Sequence, residues 1–575
     1  MSKTTTLPVL LSLFILLIEN AAAQSPKVVS TSPASQMVAA DSDAEIALMF
    51  DVPIDTSSIG KGTFRVFGRW SGPALGSFSF SENHQQVSFK PDEPFFAGEW
   101  VFVQLSKNIK SATGENLEKP FAWNFWIATA PGKLNQTLVE TIELRLPGES
   151  YLQTYGAYAG DMNNDGYSDL VAVNESSDDL RILLNDGQGN YPSFTVYDTG
   201  DDSTPSPSEG ADFNNDGEID LVVTTAWDTE VRVLTGNGQG SFSGMKTYFT
   251  SNGVRGVVVG DFDGDGWDDI LTTNRLAGNI TIFMNNGDGN FTAAGMDLPN
   301  QDETACAMTD INHDGILDVF FASYNSQKVG VLLGDGNGNF SMTTSVAVQG
   351  KPWMIASGDF NGDGNPDVVS VNSNSNKTAV LFGDGIGGLS QPVHYAPVNH
   401  NFPLAVDAGD LDGDGDLDLV TSNYSSKTYT VFENDGTGKF TTPVTLPSPK
   451  AASCAILHDR DNDGDLDITG TDEEADVILL FENPGSNTTP VTKVDRENLL
   501  LNTSPNPTAG PIELNFTVPC YSTVSLYLTN LMGVKNKVIH EKNYSPGNYQ
   551  VKLDGFPRAS PGIYFLLLSN HVEKK

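Results

Sequence analysis

Seven times along its middle the chain reads Asp-x-(Asp/Asn)-x-Asp-Gly-x-x-Asp, beginning at Asp161, Asp212, Asp261, Asp310, Asp359, Asp410 and Asp459. The starts lie 51, 49, 49, 49, 51 and 49 residues apart, a register too even for chance. These residue types suit calcium, a hard cation that takes about six to eight oxygen ligands. Positions 1, 3 and 5 offer side-chain oxygens from one tight turn. Glycine at position 6 lets the chain bend with positive φ. The backbone carbonyl of position 7 can then face the ion, and the aspartate at position 9 closes the cage.

The expected ligands follow loop by loop, with the seventh-position residue contributing its carbonyl. The first loop offers Asp161, Asn163, Asp165, Tyr167 and Asp169, and the second Asp212, Asn214, Asp216, Glu218 and Asp220. The third offers Asp261, Asp263, Asp265, Trp267 and Asp269, and the fourth Asp310, Asn312, Asp314, Ile316 and Asp318. Asp359, Asn361, Asp363, Asn365 and Asp367 form the fifth. Asp410, Asp412, Asp414, Asp416 and Asp418 form the sixth, and Asp459, Asp461, Asp463, Asp465 and Asp467 the seventh. Carboxylates crowded in this way repel one another without a cation, so up to seven Ca²⁺ ions should stabilise the fold. Seven ions add 14 positive charges and take the formal charge from −41 to −27. The competing reading is an acidic turn held by Asx hydrogen bonds alone. Through position 9 the loop is similar to an EF-hand loop, but no Glu stands at position 12 and no amphipathic helix flanks it.

What positions the loops is a set of short strands. Val257-Val258-Val259 precedes the third loop, and Ile270-Leu271-Thr272-Thr273-Asn274 follows it. Asn279–Met284 comes next, then the turn signal Asn286-Gly287-Asp288-Gly289-Asn290 and Phe291. Each repeat thus reads strand, loop, strand, turn, strand, Gly-rich turn, strand, which is the content of one propeller blade. Asp261–Gly266 and the run Gly334-Asp335-Gly336-Asn337-Gly338-Asn339-Phe340 resemble FG-GAP or VCBS repeats, the family that includes integrin α-subunit propellers. The resemblance covers 135–485 and implies a seven-bladed β-propeller with one calcium loop per blade. The seventh repeat ends at Val477–Phe481 without an outer strand, and an orphan strand, Thr137–Leu144, precedes the first loop. We therefore expect the N-terminal strand to complete the last blade and close the ring, leaving few open sheet edges.

The expected fold class is all-β, the propeller being flanked by two small β-sandwich domains. Residues 26–128 alternate apolar and polar types, as in Glu45–Phe50 and Gln86–Phe89. Ser32-Pro33, Phe50-Asp51 with Pro53, Phe89-Lys90-Pro91 and Trp123-Asn124-Phe125 resemble bacterial Ig-like domains. Thr129-Ala130-Pro131-Gly132 reads as the linker. Residues 498–575 carry Ser504-Pro505-Asn506-Pro507-Thr508-Ala509-Gly510, the alternating Val524–Leu528 and Pro561-Gly562-Ile563-Tyr564-Phe565. This segment is similar to the C-terminal sorting domain of the type IX secretion system, which implies export machinery as a partner. Its basic tail is abbreviated, the chain stopping ten residues after Phe565. At the other end, Lys3, the apolar run Leu7–Ile18 and Ala21-Ala22-Ala23 read as a signal peptide over 1–23. No later stretch is apolar enough to span a bilayer as a helix.

Composition excludes some functions. Lys+Arg is 32 against Asp+Glu at 73, so nucleic acid and anionic membrane surfaces are repelled. The three cysteines, Cys306, Cys454 and Cys520, form no disulfide framework and read as small buried residues. His313 stands at loop position 4 and His458 directly precedes a loop; both read as surface or turn residues. Without a recognisable catalytic motif, the expected function is a secreted or cell-surface binding or adhesion protein for a glycan or an extracellular protein. The alternative is an extracellular polysaccharide-degrading lyase or hydrolase. A lyase needs cations near a uronate carboxylate and a base beside it, and only 13 Lys or Arg lie between 135 and 485.

Overall fold

The computed structural model describes residues 23–200, 203–298 and 302–485 and, beyond them, six strands between 502 and 571. The repeats become seven four-stranded antiparallel sheets. In the first, Thr154–Gly160, Asp169–Asn174, Asp179–Leu183 and Phe194–Asp198 lie side by side in chain order. The inner strands of the next six are Pro205–Ala211, Val254–Gly260, Glu303–Thr309, Pro352–Gly358, Pro403–Gly409 and Ala452–His458. Each inner strand lies beside the next, and Ala452–His458 lies beside Thr154–Gly160, so the sheets close a ring.

Residue type follows radial position. The second strand of every blade is buried along its whole length, as in Leu170, Val171, Ala172 and Val173, because neighbouring blades cover both of its faces. Inner strands carry small residues where they crowd the axis. A Cβ on Gly256 would sit 2.8 Å from the Ala305 Cα of the next blade, so only glycine fits there. Outer strands turn polar, as in Phe242–Phe249, where Phe242 is buried and the five residues after it are exposed.

Thr137–Glu143 supplies the fourth strand of the seventh sheet. It pairs antiparallel with Val477–Glu482, with Ile142 opposite Ile478, which bears out the expected closure. Asp476 secures it: its carboxylate accepts from Leu152 N–H (3.1 Å), Gln153 N–H (2.9 Å) and Arg145 Nε (2.8 Å).

The N-terminal segment forms two further four-stranded sheets. Val28–Ser32, Ile46–Phe50, Gln86–Pro91 and Gly76–Phe80 make one; Gly72–Pro73, Phe64–Gly68, Trp100–Leu105 and Phe121–Trp126 make the other. Phe50, Phe64, Val101, Trp123 and Phe125 fill the core between them. This sandwich and the propeller belong to one compact unit, 1–486. The segment read as a linker is clamped rather than free. Ala130 N–H donates to Gly464 O (2.5 Å), Gly132 N–H to Asp412 O (3.0 Å) and Lys133 N–H to Asn483 Oδ1 (2.7 Å).

Asn487–Lys575 is a second compact unit. Asn502–Ser504, Ile512–Val518 and Gly547–Leu553 form one three-stranded sheet; Lys535–Tyr544, Ser522–Thr529 and Phe565–His571 form another. The signal segment through residue 22, the stretch 505–511, Cys520 and Pro561–Tyr564 lie outside the described residues.

Candidate functional site

All seven loops adopt one winding. Position 6 has positive φ throughout, from 81° at Gly315 to 100° at Gly266. So does position 4, where Asn164, Asn215, Gly264, His313, Gly362, Gly413 and Asn462 stand. The choice of Asn, Gly or His at position 4 was a legible signal of this left-handed turn. In the first loop the Asp161 carboxylate accepts from Asp165 N–H (3.0 Å) and Gly166 N–H (2.9 Å). Asn163 Oδ1 accepts from Asp165 N–H (3.0 Å), and Asp165 Oδ1 from Tyr167 N–H (3.0 Å). The Asx hydrogen bonds weighed as an alternative to metal binding are thus present, and they draw the oxygens of positions 1, 3 and 5 into one turn.

Position 9 does a second job. Asp269 Oδ2 accepts from Phe262 N–H (3.0 Å) and its Oδ1 from Asn285 N–H (2.8 Å), which staples the loop to the end of the third strand. Asp169, Asp220, Asp318, Asp367 and Asp418 repeat both bonds. In the seventh blade Asp467 keeps the bond from Asn483 N–H and faces the Arg460 guanidinium at 3.4 Å.

Burial dominates the electrostatics. It pushes Asp169 and Asp220 up to about 7, Asp318 and Asp367 to about 8, and Asp269 and Asp418 to about 9. At position 1 it raises Asp212, Asp310 and Asp410 to about 6 and Asp261 and Asp459 to about 7. The neighbouring carboxylates of each loop add to the effect. Such groups want a proton or a cation.

Carboxylate oxygens of Asp261, Asp263 and Asp265 lie within 4.8 Å of one another, as do those of Asp410, Asp412 and Asp418 and those of Asp459, Asp461 and Asp463. These are the three loops with Asp at position 3. In the first, second and fifth, the amide of Asn163, Asn214 or Asn361 instead donates to the position-5 carboxylate at 2.9–3.1 Å. Two donors escaped the sequence reading. Asp416 and Asp465 stand at position 7, where the carbonyl is the expected ligand, yet each has a buried carboxylate oxygen without a hydrogen-bond partner among the described residues. Burial, then the other carboxylates of the same loop, raise Asp416 to about 7 and Asp465 to about 8. An aspartate at position 7 was the available signal.

The Ig-like sandwich sits on the loop face. Asp268, at position 8 of the third loop, pairs with Arg65 and accepts from Gln104 Nε2 at 2.9 Å. Gly264 O accepts from Lys107 N–H (2.8 Å) and Ser106 Oγ (2.9 Å), and Gly315 O from Ala122 N–H (2.7 Å). Asp161 N–H donates to Trp70 O (2.7 Å), and Thr129 Oγ1 to Asp410 O (3.0 Å). The channel is therefore covered at this end. Beneath the sandwich lies a cavity of about 250 Å³, walled by Trp100, Phe102 and Trp126 above and by Val257, Met308 and Met354 of the inner strands. Arg69 reaches into it and pairs with Asp407 at 2.9 Å.

Three residue readings change. His458 is not a surface residue: it is fully buried, with Ser168 Oγ 2.9 Å from Nδ1 and Thr469 Oγ1 2.8 Å from Nε2. Burial pulls its pKa down to about 3 and keeps it neutral. Cys306 and Cys454 are free thiols of intermediate exposure on inner strands, rather than fully buried fillers. His313 is a turn residue as expected, its Nε2 lying 2.9 Å from Asn365 Oδ1 of the next loop.

Ring, loops and blade order together define a propeller of FG-GAP type. The FG-GAP-like repeat profile matches six overlapping windows, 161–223, 212–272, 261–321, 310–370, 359–421 and 410–470, which span more than half of the chain. The protein belongs to the FG-GAP-like repeat family. A bacterial Ig-like domain profile matches residues 22–126. No curated protein matches the sequence. Among solved structures, BBS1N in complex with ARL6DN is similar at 13% identity, over 61% of this chain and 98% of that one, with a TM-score of 0.44. A lectin from Agrocybe aegerita that recognises non-reducing terminal N-acetylglucosamine is similar at 19% identity, over 70% and 94%, with a TM-score of 0.37. An auxiliary nutrient binding protein from Bacteroides ovatus is similar at 12% identity, over 80% and 98%, with a TM-score of 0.35.

Proposed function

We propose that the protein is an exported, calcium-binding propeller that holds a glycan or protein ligand on the face away from its loops. The observation that carries this reading is the asymmetry of the two faces. The loop face is taken up by the Ig-like sandwich. The hairpins and connections of the opposite face carry Trp227, Phe249, Leu276 and Val398, exposed by 58%, 72%, 51% and 83%. The loop face exposes one comparable side chain among the described residues, Ile386 at 78%, so the larger share of exposed apolar side chains lies on the face the sandwich leaves free, where a ligand can use them.

Calcium enters as the element that stiffens the blades. The side chains of positions 1, 3, 5 and 9 and the carbonyl of position 7 would hold it, joined by the carboxylates of Asp416 and Asp465 in the sixth and seventh loops. The crowded, buried carboxylates of those loops support the assignment. Export is supported by the Ig-like and FG-GAP-like repeats, which are typical of extracellular proteins. It would use the N-terminal signal segment and, across the outer membrane, type IX machinery acting on 498–575. Deleting 498–575 should then trap the protein in the periplasm.

The deciding experiment is a screen of the full chain on glycans and matrix proteins, with calcium and with chelator. Calcium-dependent retention of an unaltered ligand is the expected result. Release of shortened or unsaturated sugar would overturn the reading in favour of a lyase or hydrolase.

A further inference from the structure

The mouth of the channel opposite the loops is built from positions that recur in every blade. Each inner strand shifts register just after its first residue. The bulge frees the second residue from the ladder and re-aims its side chain. Blades one, three and five place Tyr155, Arg255 and Trp353 there.

A second set of equivalent positions follows the second strands. Each is fixed by its own N–H to the residue that precedes an inner strand: Arg275 to Gly253 O (2.8 Å), Tyr324 to Asp302 O (2.8 Å) and Glu473 to Ala451 O (2.9 Å). Ala226 and Ser373 make the same bond, at 3.0 and 2.9 Å. The scaffold therefore needs only the backbone here, and the side chains are free to serve something else.

Blades three to five spend that freedom on cations and aromatic rings. The Arg275 guanidinium lies 4.4 Å from the centre of the Tyr324 ring and 5.1 Å from that of Trp353. Lys351 Nζ lies 4.5 Å from the same Tyr324 ring. Trp353 Nε1 donates to the Tyr155 hydroxyl at 2.6 Å, which fixes both rings across the mouth. Arg255, next to them, is already neutralised by Glu175 at 2.8 Å. Arg275 and Lys351 are not: among the described residues neither has a carboxylate within 4.0 Å. Burial, and repulsion from Arg255, pull the Arg275 pKa below its ordinary value. Asp302 acts on Arg275 only at longer range, so two cations against one ring hold no carboxylate partner among the described residues and are poised for an anion from outside.

We propose that this mouth binds an acidic glycan, the carboxylate of a uronate sugar meeting Arg275 and Lys351 while its ring lies against the aromatic side chains. The inference rests on the binding reading above and names its site and ligand class. The Arg275 guanidinium suits a planar carboxylate, and the Lys351 ammonium, held against the same Tyr324 ring, adds a second positive charge to the mouth. Trp and Tyr offer flat apolar faces with a polar edge, matching a pyranose with an apolar C–H face and an equatorial acid. Trp227, exposed and 5.4 Å from the Arg255 guanidinium, extends that platform. A polyanion with closely spaced phosphates would be repelled by the rest of the molecule, whereas an oligosaccharide end meets only the mouth.

The test uses the full chain in saturating calcium. Binding of oligogalacturonates and oligoglucuronates is measured by calorimetry beside their methyl esters, which keep the ring and remove the charge, and beside an oligoglutamate peptide. Binding of the acids with loss on esterification is expected. Arg275→Gln with Lys351→Gln should weaken it by about tenfold or more. Tyr424→Ala, at the equivalent position of blade six, should leave it unchanged. Unaltered melting temperatures separate lost binding from misfolding. Retention of neutral sugars, or of the peptide and not the uronates, would overturn the acidic-glycan assignment and leave the binding reading standing. Uronate binding that survives the double substitution would overturn the site. If the full chain retains nothing on this panel or on the broader screen, both fall.

Discussion

Glu303, the first residue of the fourth inner strand, shows what a single side chain costs this fold. It is fully buried, and neither carboxylate oxygen has a hydrogen-bond partner among the described residues. Burial raises its pKa to about 8. A carboxyl whose pKa is higher in the folded state holds its proton best there. Its contribution is fully present below the unfolded value and is lost as pH rises through about 8. Glu303→Gln removes the ionisation, so the variant and the natural protein should be equally stable near pH 4. Above pH 8 the variant should be the more stable by on the order of 2–4 kcal/mol. Urea midpoints at pH 5 and pH 9, with calcium saturating, check this; equal pH dependence in the two proteins would show that Glu303 does not titrate on unfolding. The loop aspartates differ in kind. Their carboxylates are also buried, but position 1 accepts two backbone N–H groups and faces other carboxylates across a gap that suits a cation.

At the scale of elements, the strand Thr137–Glu143 joins the ends of the ring through the hairpin that carries Asp476. Four donors from three residues of the segment that follows the strand, two of them on Arg145, converge on that one buried carboxylate. Asp476→Ala leaves them unpaired and should lower stability by on the order of 3 kcal/mol. Asp476→Asn, which keeps one acceptor oxygen, should cost less. Hydrogen exchange in the seventh blade should quicken before that of the third if the closure is the weak joint. Uniform exchange across the blades would refute this. Much of this was legible in the sequence because it is periodic: the loop register fixed blade length, and the missing last strand pointed to Thr137. The covered channel mouth was not legible. It depends on Arg65, Gln104 and Lys107 meeting Asp268 and Gly264 from more than 150 residues away, and no local pattern announces such a contact. The bulged mouth residues were hidden for a related reason. Arg255 and Trp353 read as ordinary strand positions until the register shift turns them out of the ladder.

For the whole molecule, the loops are where blade, ion and sandwich meet. Their carbonyls at Gly264, Gly315 and Gly464 accept hydrogen bonds from the sandwich and its clamp. The sandwich thus reads the conformation of the same turns that would cage calcium. Removing calcium should loosen both structures together. A ligand at a hundredfold its dissociation constant stabilises the folded state by about 2.7 kcal/mol per site. With four or more loops filled, chelation should lower the melting temperature of the full chain by on the order of 10–20 °C. The sandwich should also become separately cleavable between residues 128 and 136, a stretch the clamp now holds down. Magnesium should replace calcium poorly, because it demands a tighter, near-octahedral shell than these loops can draw in. A melting temperature indifferent to chelator would mean that the Asx hydrogen bonds hold the loops unaided. A large thermal shift without exposure of the 128–136 stretch would mean that calcium stabilises the blades while the sandwich stays docked on its own apolar contacts, Trp100, Phe102 and Trp126 against the channel wall.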